Sequence, residues 1–423
     1  MARLSLWLPP FSPDYSGASA VLFDLKTVTA MHDASGCTGN YTGYDDPRWY
    51  GSHSGIFCSG LRQIDAVLGD DEKLIKKMEA AARDIQPDLM ALVGSPVPMV
   101  IGGDLEGIAV ELEERTGIPS FGFDMTGTAY YDRGAFRAAK ALMDRYTAKQ
   151  AAKEAAIERR VNILGALPMD FGKGEEIRDF KRFLAENGYE TGLCLAMDYS
   201  LSDLKEAASA QVNLAVSRFG FLMAQYMEQR FRIPYLCGFP AGESGEKAWL
   251  EALERVRETK HSEILNAVEQ KDGTEDMSIL IVGEQVMSNS LRYALFRDMG
   301  ITRVTVGCLY GPEPALALPG DLDLSDEKKI RQAMNRPDVQ AGNQGFSCTS
   351  DGCRTDQILL FLSYKNPREI QWQIPCFFIQ NRFAARILDS MAVLFYIKPL
   401  CIHQNRGILL TKRPQAGKLF QEV

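Results

Sequence analysis

Histidine is scarce in this chain: four in 423 residues, His32, His53, His261 and His403. A Ser–His or Cys–His triad therefore has few bases to draw on. There is no G-x-S-x-G elbow, so the signature of an α/β-hydrolase nucleophile is missing. There is no G-x-x-x-x-G-K-S/T loop either, and the chain is not expected to hydrolyse ATP itself. "IGGDLEGIAVEL" (Ile101–Leu112) opens a helix after a strand, as a dinucleotide loop does, but its glycine spacing differs. Asp104 would also set a carboxylate where a pyrophosphate must sit. No run approaches the roughly 18 apolar residues of a membrane span. The apolar start "MARLSLWLPP" is broken by Pro9 and Pro10, too soon for a secretory segment. A net charge of −8 and a pI near 5.3 give no basic footprint for nucleic acid. The expectation is a cytoplasmic protein that binds neither membrane nor nucleic acid.

Nine cysteines, an odd number at irregular spacing, do not form a disulfide framework. Cys348 and Cys353 in "CTSDGC" make one pair, whereas zinc needs four close ligands. Cys194, Cys237, Cys308, Cys376 and Cys401 sit mostly in apolar runs and read as core. Cys37 and Cys58 differ. They lie in "MHDASGCTGNYTGYDDPRWYGSHSGIFCSG", a stretch with six glycines and no hydrophobic period. Either these thiols hold a metal centre, or they are small apolar residues in turns. Soft thiolates suit an iron–sulfur cluster, and Gly36 and Gly39 would let backbone approach one. Two thiolates are half of the usual four ligands.

Short apolar runs alternate with amphipathic ones, which predicts an α/β fold with largely parallel sheets. "DLMALVGS" reads as a buried strand. "EKLIKKMEAAARDI", behind the Asp70–Asp71 cap, puts Leu74, Ile75, Met78 and Ala82 on one helix face. Residues 136–160 read as one long connecting helix, and "EKAWLEALERVRETKHSEILNAVEQKD" as another charged helix containing a solvated His261. Strand–loop–helix units restart at "RVNILGALP" and "MSILIVGE". Three Rossmann-like domains are expected: 1–158 with the candidate cluster loops, 159–272, and 273–423. After Gln357 the composition turns basic, with nine Lys/Arg against Glu369, Asp389 and Glu422.

Several pieces resemble, in order, the nitrogenase component 1 family. "DASGCTG" is similar to that family's N-terminal glycine–cysteine turn. "SGLRQIDAVLGDDEKLIKKM", "VPMVIGGDLEGIAVELEERTGIP", "RFGFLMAQYMEQRFRIPYLCGFPAG" and "MSILIVGEQVMSNSLRYALFRDMGI" resemble later segments, and the likeness spans about Pro10 to Gly311. The resemblance implies three Rossmann-like α/β domains and an iron–sulfur site where two such subunits meet. It also implies electron delivery by a separate ATP-dependent iron protein. The family includes nitrogenase, cofactor-assembly scaffolds, the dark-operative reductases of chlorophyll synthesis, and an uncharacterised group in anaerobes.

Three family cysteines reach that interface cluster, and Cys37 matches the middle one. The upstream position falls around "PFSPDYSGA", where Asp14 is the nearest oxygen donor. The downstream one falls at Ser95 and Pro96. Cys58 matches no family ligand but could replace a lost one. The thiolate that holds nitrogenase's catalytic cofactor would fall near Val216 and is absent, so no molybdenum–iron-type cofactor is expected. The resemblance thus implies an oxidoreductase subunit, paired with itself or a homologue, that passes electrons through a 4Fe–4S-type cluster; Cys37, beside Gly36, is the first candidate ligand, Cys58 the second and Asp14 a distant third. Two other classes stay open: a cluster-binding or cofactor-assembly scaffold, and a colourless small-ligand-binding protein using an interdomain cleft.

Overall fold

A computed structural model describes residues 12–49, 55–147, 156–265, 277–334 and 359–364. Its strands form three sheets. In the first, β1 (Thr27–Met31), β2 (Ile56–Cys58), β3 (Leu89–Val93) and β4 (Ser120–Phe123) lie in the order β2-β1-β3-β4, all parallel. The second contains β5 (Arg160–Leu164), β6 (Glu190–Cys194), β7 (Val212–Ala215), β8 (Tyr235–Cys237) and β9 (Glu263–Ile264). Their order is β6-β5-β7-β8-β9, again all parallel. The third has β10 (Met277–Gly283), β11 (Val304–Cys308), β12 (Leu322–Asp323) and β13 (Leu359–Tyr364), ordered β12-β11-β10-β13. There β13 runs antiparallel to β10.

The first sheet shows why such strands read as unbroken apolar runs. In β1 and β3 every residue is buried, because helices cover both faces. Val28, Ala30, Met90 and Leu92 pack against Leu74, Ile75 and Met78 of helix Asp71–Ile85 and Leu112 of helix Leu105–Thr116. The alternate residues Met31, Leu89, Ala91 and Val93 face the opposite side, toward helices Asp14–Leu22 and Tyr131–Tyr146. This period of two is the pleat of the strand expressed as packing.

Helices Asp14–Leu22 and Tyr131–Tyr146 meet almost backbone to backbone. A Cβ on Gly17 would overlap the Tyr131 carbonyl, and one on Gly134 would overlap the Asp14 carbonyl. Two bonds pin the chain where the helices begin: Asp14 N–H to Ala129 O at 2.9 Å, and Tyr131 N–H to Ser12 O at 2.9 Å. The position of Tyr15 is fixed by this crossing.

Two helices end earlier than the sequence predicts. The one expected over 136–160 begins at Tyr131 and stops at Tyr146; Thr147 is extended and Arg160 is already in β5. The charged helix expected through Asp272 covers Gly242–Thr259, and Lys260 closes it in the left-handed region. His261 follows that stop in the connection to β9, not inside a helix. Helix-favouring composition continues past both ends, but strands β5 and β9 claim the chain through pairing that local propensity does not express.

Among the described residues no helix is long and apolar enough to cross a membrane. His53, His403, Cys348, Cys353, Cys376 and Cys401 lie outside the described residues, as does the basic segment except for β13. Cys194, Cys237 and Cys308 are buried, as their apolar surroundings predict.

Candidate functional site

The loops leaving the carboxyl ends of β1, β2 and β3 build the site around Cys37. Past Met31 the chain turns sharply at Asp33, a buried carboxylate. Its Oδ2 accepts the Ser35 N–H at 2.9 Å, the Thr38 N–H at 3.0 Å and the Thr38 hydroxyl at 3.2 Å. These bonds hold Ser35 at φ 115°, a conformation that costs a side-chain-bearing residue energy. A short helix, Gly36–Asn40, starts there and runs into a π-helical turn, Tyr41–Asp45. Such turns are rare and frequent at functional sites.

Cys37 is half-buried in the first turn, and its thiol lies beside the hydroxyls of Tyr15 and Ser95. Burial raises its pKa above the usual thiol range. The neighbouring Tyr15 hydroxyl pulls it back, the Asp33 charge pushes it up, and the Ser95 hydroxyl pulls it down again. Ser95 is fully buried and donates to His32 O at 2.9 Å. Thus the site joins the start of the first helix, the loop after β1 and the loop after β3.

The other predicted residues sit nearby with their own partners. Asp14 is buried, and its two carboxylate oxygens accept backbone N–H groups from Tyr15 (2.8 Å), Gly127 (2.8 Å) and Thr126 (3.2 Å). Burial raises its pKa, while those N–H bonds and Arg137 oppose the shift. Cys58 closes β2 opposite Met31. Its thiol donates to Asp33 O and accepts from Gly60 N–H, both at 3.4 Å. Asp33 therefore ties the Cys37 turn to the Cys58 strand. Gly36 is exposed, and a Cβ on Gly36, Gly39 or Gly43 would meet nothing within 4 Å. Among the described residues no three His, Cys, Asp or Glu side chains converge closely enough to hold a metal ion.

Two neighbouring groups fix the loop from behind. Asp45 is buried and accepts from Ser16 (2.6 Å), Asn40 (3.0 Å) and Ser12 (3.3 Å). Burial lifts its pKa to about 6 despite those bonds. Arg48 pairs with Asp46 (2.8 Å) and Asp24 (3.2 Å). It also donates to Ala20 O and Ala196 O, both at 2.9 Å, so it ties this loop to the turn after β6.

The family model for the nitrogenase component 1 type oxidoreductases matches residues 13–341. The chain belongs to this family. Among component 1 relatives, a light-independent protochlorophyllide reductase subunit from Prosthecochloris aestuarii (strain DSM 271 / SK 413) is 25% identical over 262 residues, covering 59% of this chain and 46% of that protein. The corresponding protein from Nostoc punctiforme (strain ATCC 29133 / PCC 73102) is 23% identical over 207 residues, covering 46% and 40%. The chain spans less than half the length of these relatives. Solved structures titled "Nitrogenase Cp1" at pH 6.5 and pH 5 share the fold. Both superpose with a TM-score of 0.54, at 16% and 18% identity, over 78% of this chain and 73% and 72% of theirs.

The component 1 resemblance drew attention to three positions, around Asp14, at Cys37 and at Ser95. Two of them, Cys37 and Ser95, are neighbours. At the upstream position the residue that reaches Cys37 is Tyr15, which sequence reasoning passed over. The available signal was its adjacency to Asp14, since neighbouring residues on a helix point in different directions.

Proposed function

We propose that this chain is a subunit of a nitrogenase-like oxidoreductase that holds an iron–sulfur cluster of the 4Fe–4S type at Cys37, where it meets a second, homologous subunit. In this reading an ATP-dependent iron protein delivers the electrons, which pass to a substrate not yet identified. The domain division 1–158, 159–272 and 273–423 is proposed with it, one sheet in each.

What supports the reading is the family match over residues 13–341, together with the proximity of Tyr15, Cys37 and Ser95 from three separate segments. Cys37 would supply the thiolate, with Cys58 and Asp14 as further candidate donors. Tyr15 would aim a hydroxyl hydrogen bond at the Cys37 sulfur, which tunes potential, while Ser95, whose proton goes to His32 O, packs beside it. One thiolate is only part of a four-ligand shell, and no three His, Cys, Asp or Glu converge among the described residues, which favours donors from a second chain. The open space beside Gly36, Gly39 and Gly43 leaves room for that chain's backbone. Exposed apolar residues on the same edge of the sheet, Ile64, Val67 and Leu68 after β2 and Val97 and Val100 after β3, suit a protein partner. When bound, the cluster supplies one-electron redox chemistry.

The test is reduction. Oxygen-free protein mixed with a dithionite-reduced nitrogenase-type iron protein and ATP should lose its cluster absorption, and omission of ATP should prevent the loss. ATP-independent behaviour would contradict the partner assignment. Substrate consumption after reduction separates a reductase from a scaffold.

A further inference from the structure

Four acids around the Cys37 loop are buried: Asp14, Asp33, Asp45 and Asp46. Three of them are held as acceptors by groups that donate at any ordinary pH. Asp14 and Asp33 accept backbone N–H groups. Asp46 accepts from Arg48 Nε at 3.0 Å and Nη2 at 2.8 Å. Asp45 differs.

Among the described residues, the partners of the Asp45 carboxylate are neutral side chains: the Ser16 hydroxyl, the Asn40 amide and the Ser12 hydroxyl. A hydroxyl both donates and accepts. Ser16 and Ser12 can donate to a carboxylate, or turn and accept from a carboxylic acid, with no heavy atom moving. The nest therefore holds either protonation state. No cation pairs with Asp45 among the described residues, since Arg48 is engaged by Asp46 and Asp24. The ionisable groups that face it are Asp46 beside it, Tyr41 on its own turn and Tyr15 on the first helix. None of the three brings a positive charge. Burial above all, partly offset by the two serines, leaves its pKa at about 6.

Asp45 also stands close behind the cluster position. Asn40 and Cys37 share one short helix, and Ser16 follows Tyr15. The Tyr15 hydroxyl registers both neighbours: burial, then Cys37, then the Asp45 charge raise its pKa. With little water between them, charges here are weakly screened.

We propose that Asp45 is a redox-linked proton site: on one-electron reduction at Cys37, its carboxylate takes up one proton from solvent. The electron comes from the iron protein, or from dithionite in vitro, and the new O–H is the one bond formed. An added negative charge nearby favours the neutral carboxyl, so the pKa of Asp45 is higher in the reduced state than in the oxidised one. Between those two values, reduction becomes harder as pH rises. The inference rests on the cluster reading and adds a proton to it.

Spectroelectrochemical titration of the oxygen-free full chain, from about pH 5.5 to about pH 8.5 in steps, tests it by the midpoint potential. The wild-type potential should fall with pH above about 6, at its steepest by about 59 mV per unit, the tenfold step for one electron. Asp45→Asn, neutral throughout, should remove the slope. Ser16→Ala, which takes a donor from the ionised form, should move the fall to higher pH, and it decides the matter if the Asn variant does not fold. A bound cluster whose potential ignores pH, equal slopes in wild type and Asp45→Asn, or an unmoved Ser16→Ala profile would overturn the proposal and leave the cluster reading standing. A chain that binds no iron would overturn both.

Discussion

The Ser95 hydroxyl lies beside the Cys37 thiol at the end of the first sheet. One follows β3 and the other follows β1, and the two strands pair in parallel register, Met31 beside Val93. The loops that leave them are therefore neighbours by construction.

This pairing makes Ser95 the natural place to add a ligand. Ser95→Cys should raise the iron retained per chain after oxygen-free reconstitution and gel filtration. Ser95→Ala should lower it, because the hydroxyl beside the Cys37 sulfur and its bond to His32 O are lost. Metal content measured on the same preparations decides. No difference among wild type and both variants would place the cluster elsewhere.

The glycines separate packing from function. Gly134→Ala puts a methyl group against the Asp14 carbonyl, so the two helices must part, at a cost of about 3 kcal/mol or more. Gly36→Ala meets nothing, and its melting temperature should stay close to wild type. It should nonetheless lose iron or subunit association, since the added methyl occupies the open side of the Cys37 turn. Thermal melts, iron assay and sizing of the two variants provide the check.

How much of this was legible beforehand depended on what each segment packs against. Helix Asp71–Ile85 faces water on one side, so its buried Leu74, Ile75, Met78 and Ala82 recur at helical spacing, and Asp70 caps it as expected by accepting the Lys73 N–H at 3.2 Å. Asp104 likewise caps helix Leu105–Thr116, accepting Gly107 N–H at 2.8 Å. Helix Asp14–Leu22 left no such trace: all nine residues are buried, so "DYSGASAVL" has no polar face to set a period. Strand β2 is three residues long inside a glycine-rich stretch, and only its register with β1 defines it. Residue types singled out Cys37; its meeting with Tyr15 and Ser95 is tertiary, and no local pattern encodes it.

Asp45 predicts a pH dependence. Its folded-state pKa lies near 6, above the ordinary carboxylate value of 3.8, so folding favours its protonated form. The stability this contributes is full below about pH 3.8 and is lost as the pH rises through 6, by up to roughly 3 kcal/mol. Asp45→Asn, which stays neutral, should melt at a temperature that changes less between pH 4 and pH 7.5 than wild type does. Parallel pH profiles for the two proteins would contradict the assignment.

Arg48→Ala should be among the most damaging substitutions near the site. It strands Asp46, whose side chain is fully buried, and frees the loop from Ala20 and Ala196. Breaking a buried pair from one side costs about 3–5 kcal/mol. A fall in the melting temperature measures it. A loss below about 1 kcal/mol would mean that the loop is held by other contacts.

Iron bound by the chain purified without oxygen, compared between wild type and Cys37→Ala, bears most directly on the central assignment. Wild-type protein should be brown, with iron approaching four atoms per cluster, while the variant should be folded, colourless and iron-free. Colourless wild-type protein, or a variant that keeps its iron, would contradict the account.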